Sequence, residues 1–150
     1  MEAEAIKIRT DLKIDELDFD EITELFNAVN WPHAEFPDKL RIALANSQEL
    51  VGAFADNKLV GFANAVGDNA FYSYIHWLIV HPDYQRRGIA RKLATTLLER
   101  LETSNQVFVI ADTKLEKFWK AFGFVILQSE SNRELIAAYR SVPRLRSQSI

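Results

Sequence analysis

Gln85-Arg86-Arg87-Gly88-Ile89-Ala90 stands where an apolar run ends and a helical pattern begins. Gly88 has no side chain, so a ligand can approach the backbone closely, and Ala90 is the next smallest choice. The free N–H groups of a helix start attract anions, which is why acidic side chains usually collect there. Here the rim carries Arg86, Arg87, Arg91 and Lys92 instead. That is the chemistry of a phosphate or pyrophosphate cradle. An ordinary strand-loop-helix junction with a solvated basic rim has the same composition. The Walker pattern and the three-glycine dinucleotide fingerprint are both absent. Upstream, Tyr74 and His76 alternate onto one face of a strand-like run. The imidazole of His76 has an unperturbed pKa near neutrality, so it can accept or return a proton. A histidine satisfied within the sheet is the alternative. His81 precedes Pro82 at the strand end and reads as structural. The histidines have no metal-ligand spacing, so no metal site is expected.

These residues need elements to hold them. "AIKIRTD" alternates like an edge strand. In "DFDEITELFNAV", Ile22, Leu25, Phe26 and Val29 form a helical stripe that Asp18 or Asp20 can cap. Trp31-Pro32 ends it, and "FPDKLRIALAN" reads as a shorter helix with Pro37 in its first turn. Apolar runs at about 49–55 and 58–66 flank Asp56-Asn57, a pair suited to a tight hairpin. "FYSYIHWLIVHP" is a third strand, and Ile89, Leu93, Leu97 and Leu101 mark the helix after it. "QVFVIAD" reads as a buried strand, "KLEKFWKAF" as a short helix stopped by Gly123, and "FVILQSE" as a strand. "ELIAAYRS" fits either a strand paired across Ser131-Asn132 or a helix. The order β α α β β β α β α β (β) predicts an α/β (mixed α+β) fold. Its sheet would be mixed and six- to seven-stranded, with helices on both faces.

Length and composition fit one globular domain: 150 residues, 48% hydrophobic and 26% charged. The expected boundary places the domain at 1–142 and a frayed tail at 143–150. The net charge of −3 argues against a general polyanion binder, so nucleic acid is not an expected partner and any anion site must be local. With no cysteine there is no disulfide, thiolate ligand or cysteine nucleophile. No apolar run is long enough for a signal core or a membrane span, so the expectation is a soluble cytoplasmic protein. An exposed last strand could pair between subunits, giving a homodimer.

The loop fits Q/R-x-x-G-x-G/A and resembles the acetyl-CoA loop of the GCN5-related N-acetyltransferase (GNAT) superfamily. "IHWLIVHPDY" resembles that family's fourth strand and its approach to the loop, and "FWKAFGF" resembles its "FYxKxGF" signature at the matching distance. The resemblance runs from about residue 5 to about residue 130. It implies the GNAT fold and acetyl transfer from acetyl-CoA to a primary amine, of a small molecule or a lysine, by direct attack in a ternary complex.

By that resemblance the pyrophosphate would rest on backbone N–H groups of Arg87, Gly88, Ile89 and Ala90, with Gln85, Arg86 and Arg91 beside them. The pantetheine would pair like an extra strand with Leu78, Ile79 and Val80. His76 stands where arylalkylamine acetyltransferases place a histidine, and Tyr74 where histone-type enzymes place a glutamate. Asp112 occupies the place of a common asparagine. Trp119 stands where relatives carry the tyrosine that protonates the CoA thiolate. An indole N–H donates a hydrogen bond but is no acid. That departure keeps a noncatalytic acyl-CoA sensor as the alternative, and Tyr72 or Tyr74 as substitute donors. Trp31, His33 and Phe36 lie in the connection that covers the acceptor pocket in many relatives; plain packing is the preferred reading, and lining the substrate pocket the alternative.

Overall fold

The computed structural model describes residues 5–127 and 135–141. One seven-stranded mixed sheet runs through it in the order β1-β2-β3-β4-β5-β7-β6. The strands are β1 Ile6–Arg9, β2 Glu49–Ala55, β3 Lys58–Gly67, β4 Tyr72–Val80, β5 Gln106–Asp112, β6 Val125–Ile126 and β7 Leu135–Ser141. The helices are α1 Phe19–Ala28, α2 Pro37–Ala45, α3 Ile89–Arg100 and α4 Glu116–Ala121.

Local chemistry explains most boundaries. Asp18, in extended conformation, accepts a hydrogen bond from the Asp20 N–H (2.9 Å) and caps α1. Asn30 turns left-handed (φ 61°) just after α1, ahead of Trp31-Pro32. Asp56 (φ 47°) and Asn57 (φ 66°) are both left-handed, as a two-residue hairpin between β2 and β3 requires. "ELIAAYRS" resolves as a strand, with Ile136 and Ala138 buried in alternation. β7 lies between β5 and β6, antiparallel to both. The last described strand is therefore not a free edge, which removes the expected route to a strand-paired dimer. The proposed turn at Ser131-Asn132 and the tail at 143–150 lie outside the described residues.

Two cores sandwich the sheet. α1 and α2 bury Leu25, Phe26, Leu40 and Leu44 against Phe62, Trp77 and Ile79 on one face. α3 and α4 bury Leu93, Leu97 and Trp119 against Ile75, Val107 and Val109 on the other. Phe26 has no solvent exposure, and its truncation to Ala would cost about 3–5 kcal/mol.

Two irregularities in β4 position the site. β4 and β5 are parallel, but they pair only from Tyr72↔Gln106 to Ile75↔Val109. Beyond that they part, and β4 continues to Val80 against β3 alone. The second is a β-bulge. Asn64 opposes Trp77 and Ala65 opposes Ile75, so His76 has no partner on β3. Before the bulge Ile75 faces α3; after it Trp77 and Ile79 face α1 and α2. His76 and Trp77, although consecutive, stack on each other at 3.9 Å between ring centroids.

Candidate active site

The divergence of β4 and β5 opens a cavity of about 520 Å³. Leu78, Ile79 and Val80 form one wall, and Val29 and Trp31 reach it from the end of α1. Gln85, Arg86, Gly88, Ile89, Ala90 and Arg91 form the mouth, with Tyr84 beside them. Leu115 and Phe118 close the side toward α4.

The open edge of β4 carries backbone polarity. The His81 N–H donates to the Val60 carbonyl (2.8 Å), so that pair faces β3. Alternation then aims the N–H and C=O of Leu78 and Val80 toward the gap, and those of Ile79 toward β3. Gln85 agrees with this geometry: its Nε2 donates to the Val80 carbonyl at 3.0 Å. An edge of this kind can receive an extended amide-bearing ligand as an added strand.

The mouth gathers free backbone N–H groups and basic side chains, a combination that suits an anion. Gly88 is the N-cap of α3 at φ 78°, and no side chain caps that helix. A Cβ at Gly88 would meet no protein atom within 4 Å, so its conformation, not crowding, calls for glycine. Arg86 is also left-handed (φ 66°), an uncommon state for any residue other than glycine, and it curls the loop around the helix start. α3 has no acidic residue in its first turn, whereas α1 has two and α2 and α4 have one each. Among the described residues no carboxylate pairs with Arg86, Arg91 or Lys92. The Arg87 side chain turns aside, with its guanidinium 5.1 Å from the Tyr84 ring, and only its backbone remains available to the loop.

Tyr74 and His76 do not line this cavity; they lie next to it on β4, near where β4–β5 pairing ends, side by side with centroids 5.8 Å apart. Burial, and then the neighbouring His33, hold the His76 pKa below its ordinary value. The imidazole is thereby kept neutral and able to accept a proton. Burial raises the Tyr74 pKa, which keeps its hydroxyl protonated. The His76 Nδ1 is buried without a hydrogen-bond partner among the described residues.

The remaining candidates are dispersed. Trp31 lines the main cavity, while His33 and Phe36 line a smaller cleft of about 150 Å³ beside Trp77. Tyr72 lies at the closed end of β4, exposed against Phe71 and Phe108. Asp112 does not line the cavity; its carboxylate accepts from the Lys114 N–H (2.8 Å) and caps the turn after β5. Trp119 is a correction. It is 2% exposed, packed on Phe118 and Phe124, and its neighbour Phe118 takes the lining position. α4 is one and a half turns long, too short for the sequence to reveal its phase. Of the lining residues that sequence reasoning missed, Val29 read only as part of the α1 stripe, and Tyr84 and Leu115 carried no signal. His81 is structural: its Nδ1 accepts from the Asp83 N–H at 3.1 Å. Among the described residues no three His, Asp or Glu side chains gather at metal-ligand spacing.

Comparison with known sequences places this geometry in a family. The acetyltransferase (GNAT) domain profile matches residues 23–140. The chain belongs to the GNAT acetyltransferase family. The "uncharacterized N-acetyltransferase ycf52" of Pyropia yezoensis is 31% identical over 111 residues, covering 70% of this chain and 63% of that protein. "GCN5-related N-acetyltransferase 1, chloroplastic" of Arabidopsis thaliana is 26% identical and is covered over 57% of its length. The GNAT chain described here thus spans less than two thirds of these relatives. A GNAT-family acetyltransferase of Streptococcus pneumoniae TIGR4 has the same fold, with TM-score 0.71 and 27% identity over 87% of this chain and all of that one. The PaiA N-acetyltransferase of Thermoplasma acidophilum, solved with coenzyme A, shares the fold at TM-score 0.67 and 17% identity, covering 91% of this chain and 99% of that one. No helix among the described residues is long and apolar enough to cross a membrane.

Proposed function

We propose that this GNAT domain transfers an acetyl group from acetyl-CoA to a primary amine. One observation carries the reading: a single cavity joins the uncapped start of α3 to the open backbone edge of β4, and His76 lies on that same strand two residues before the lining begins at Leu78. Backbone N–H groups at Gly88, Ile89 and Ala90 suit a pyrophosphate, and Arg86 and Arg91 screen its charge. The polar groups of Leu78 and Val80 suit the amides of a pantetheine arm. Acetyl-CoA supplies an acetyl group already activated as a thioester.

The chain's own residues handle position and protons. An amine attacks only when neutral, and His76, held neutral by its surroundings, takes the proton that the nitrogen loses as the new C–N bond forms. The C–S bond breaks in exchange, and Tyr74 is the hydroxyl we assign as hydrogen-bond donor to the departing sulfur. The face beside them is aromatic: Phe108 stands 6.1 Å from Tyr72 and 6.4 Å from Tyr139 by ring centroids. That lining favours an aromatic or apolar amine over a highly charged one.

The second reading, a noncatalytic acyl-CoA binder, is favoured by Trp119. Its indole is buried in the core, so the usual donor position holds no acid. Thiol release across a panel of amines separates the two, and a cysteine-free chain adds no background. Amine-dependent release supports transfer. A thermal shift with acetyl-CoA but no release above hydrolysis would support the binder.

A further inference from the structure

We infer that Asn64 is a positioning residue for the acyl-transfer site: its side chain holds the bulge that brings Trp77 onto the face of His76, where the indole stacks on the imidazole and fixes its orientation. The inference rests on the acetyltransferase reading only for its kinetic consequence, not for the placement itself.

Asn64 lies in the middle of β3 with no solvent exposure. A buried amide at a strand centre is costly unless each end is satisfied. Its Oδ1 accepts the Trp77 backbone N–H at 2.9 Å. Its Nδ2 donates to the Ser47 hydroxyl at 2.9 Å, and Ser47 donates in turn to the Ala43 carbonyl at the end of α2 (3.3 Å). The donors and acceptors fit in one direction only, because a backbone N–H can only donate; the amide orientation is thereby fixed. The register shift of the β3–β4 pair falls between Asn64 and Ala65. So the side chain of Asn64 serves the one β4 N–H that the bulge displaces from the regular ladder.

The consequence is geometric. Without the bulge, strict alternation would put His76 and Trp77 on opposite faces. With it both face α1 and α2, stacked at 3.9 Å. An apolar side chain at position 64 leaves the Trp77 N–H buried without a partner. β4 then relieves this by straightening, which turns one of the two rings away.

The stack supplies its own readout, since a protonated imidazole quenches an indole it touches. Among the described residues the titratable groups facing His76 are Tyr74 on its own strand and His33 from the α1–α2 connection, and no carboxylate contributes to its shift. His33 also approaches Trp77 (5.3 Å) and Trp31 (6.1 Å), so emission is best followed in a His33→Gln background. There, tryptophan emission should rise as pH rises through the His76 titration. Asn64→Leu should abolish that step. With His33 restored, it should lower kcat about 100-fold while leaving KM for acetyl-CoA within about threefold. Asn64→Asp keeps an acceptor for Trp77 and should retain the emission step. Retention of the step in folded Asn64→Leu, or its equal loss in folded Asn64→Asp, would overturn the inference. If Asn64→Leu does not fold, Ser47→Ala decides: it unties the amide and should weaken the step and kcat by roughly threefold to tenfold. No change in either would equally refute the role. Because emission needs no turnover, it tests the placement even where no amine is acetylated.

Discussion

α1 and α3 begin in opposite ways. α1 satisfies itself: Asp18 bonds the Asp20 N–H, and Asp20 and Glu21 lie in the first turn against the helix dipole. α3 does none of this. Its cap is a left-handed glycine, its first turn holds no acid, and its nearest charged side chains are arginines. A glycine cap costs a helix only about a few tenths of a kcal/mol against a side-chain cap, and it leaves the first N–H groups of α3 free for the anion proposed above. β4 repeats the contrast within one strand. Its first half is paired on both sides, while its second half leaves one edge for a ligand.

Gly88→Val should break the contrast most severely. The side chain meets no protein atom, but it is forced to φ 78° and occupies the anion cradle. Affinity for acetyl-CoA, read by calorimetry, should fall at least about 100-fold, with only about 1–2 kcal/mol lost in folding. Next, His76→Ala tests the proposed proton acceptor and should lower kcat about 100-fold with little change in acetyl-CoA affinity. In the wild type the acid limb of kcat/KM should lie below the ordinary histidine value of 6.5, because burial and His33 depress this pKa. The limb should move to higher pH in His33→Gln. The sign for stability is the same: the unfolded state takes up the proton first, so the contribution of a neutral His76 is lost as pH falls below 6.5.

Arg91→Glu transplants the α1 arrangement onto α3. It should weaken acetyl-CoA binding about tenfold while raising the unliganded melting temperature by about 1–3 °C. The smallest effect belongs to the closed helix. Asp18→Ala should lower the melting temperature by about 2–4 °C and leave acetyl-CoA affinity unchanged. A change of affinity there would mean that the two helix starts are not independent.

The loop at the start of α3 was legible from residue types, because it is local: six consecutive residues and the helix behind them hold most of it. The hairpin at Asp56-Asn57 and the stripe of α3 were legible for the same reason. The bulge was not. Alternation correctly puts Tyr74 with His76, but it sends Trp77 to the wrong face, because the shift depends on Asn64, thirteen residues away on another strand. Nor was the α4 lining legible. A six-residue helix leaves Phe118 and Trp119 equally eligible, and packing against Phe124 decides between them. The strand state of "ELIAAYRS" likewise depends on its neighbours β5 and β6, which no local pattern reports.

The short parallel seam between β4 and β5 has a mechanical side. Four residue pairs join the strands, and behind them Ser104 donates to Ser73, whose hydroxyl donates to Gln48. The layout is that of a clothes-peg: Gln48, Ser73 and Ser104 are the spring, and the strand ends at Val80 and Asp112 are the jaws. Such a device is stiff at one end and compliant at the other. Bending at the buried serines would widen the gap while the β3–β4 and β5–β7 pairing on either side stays whole.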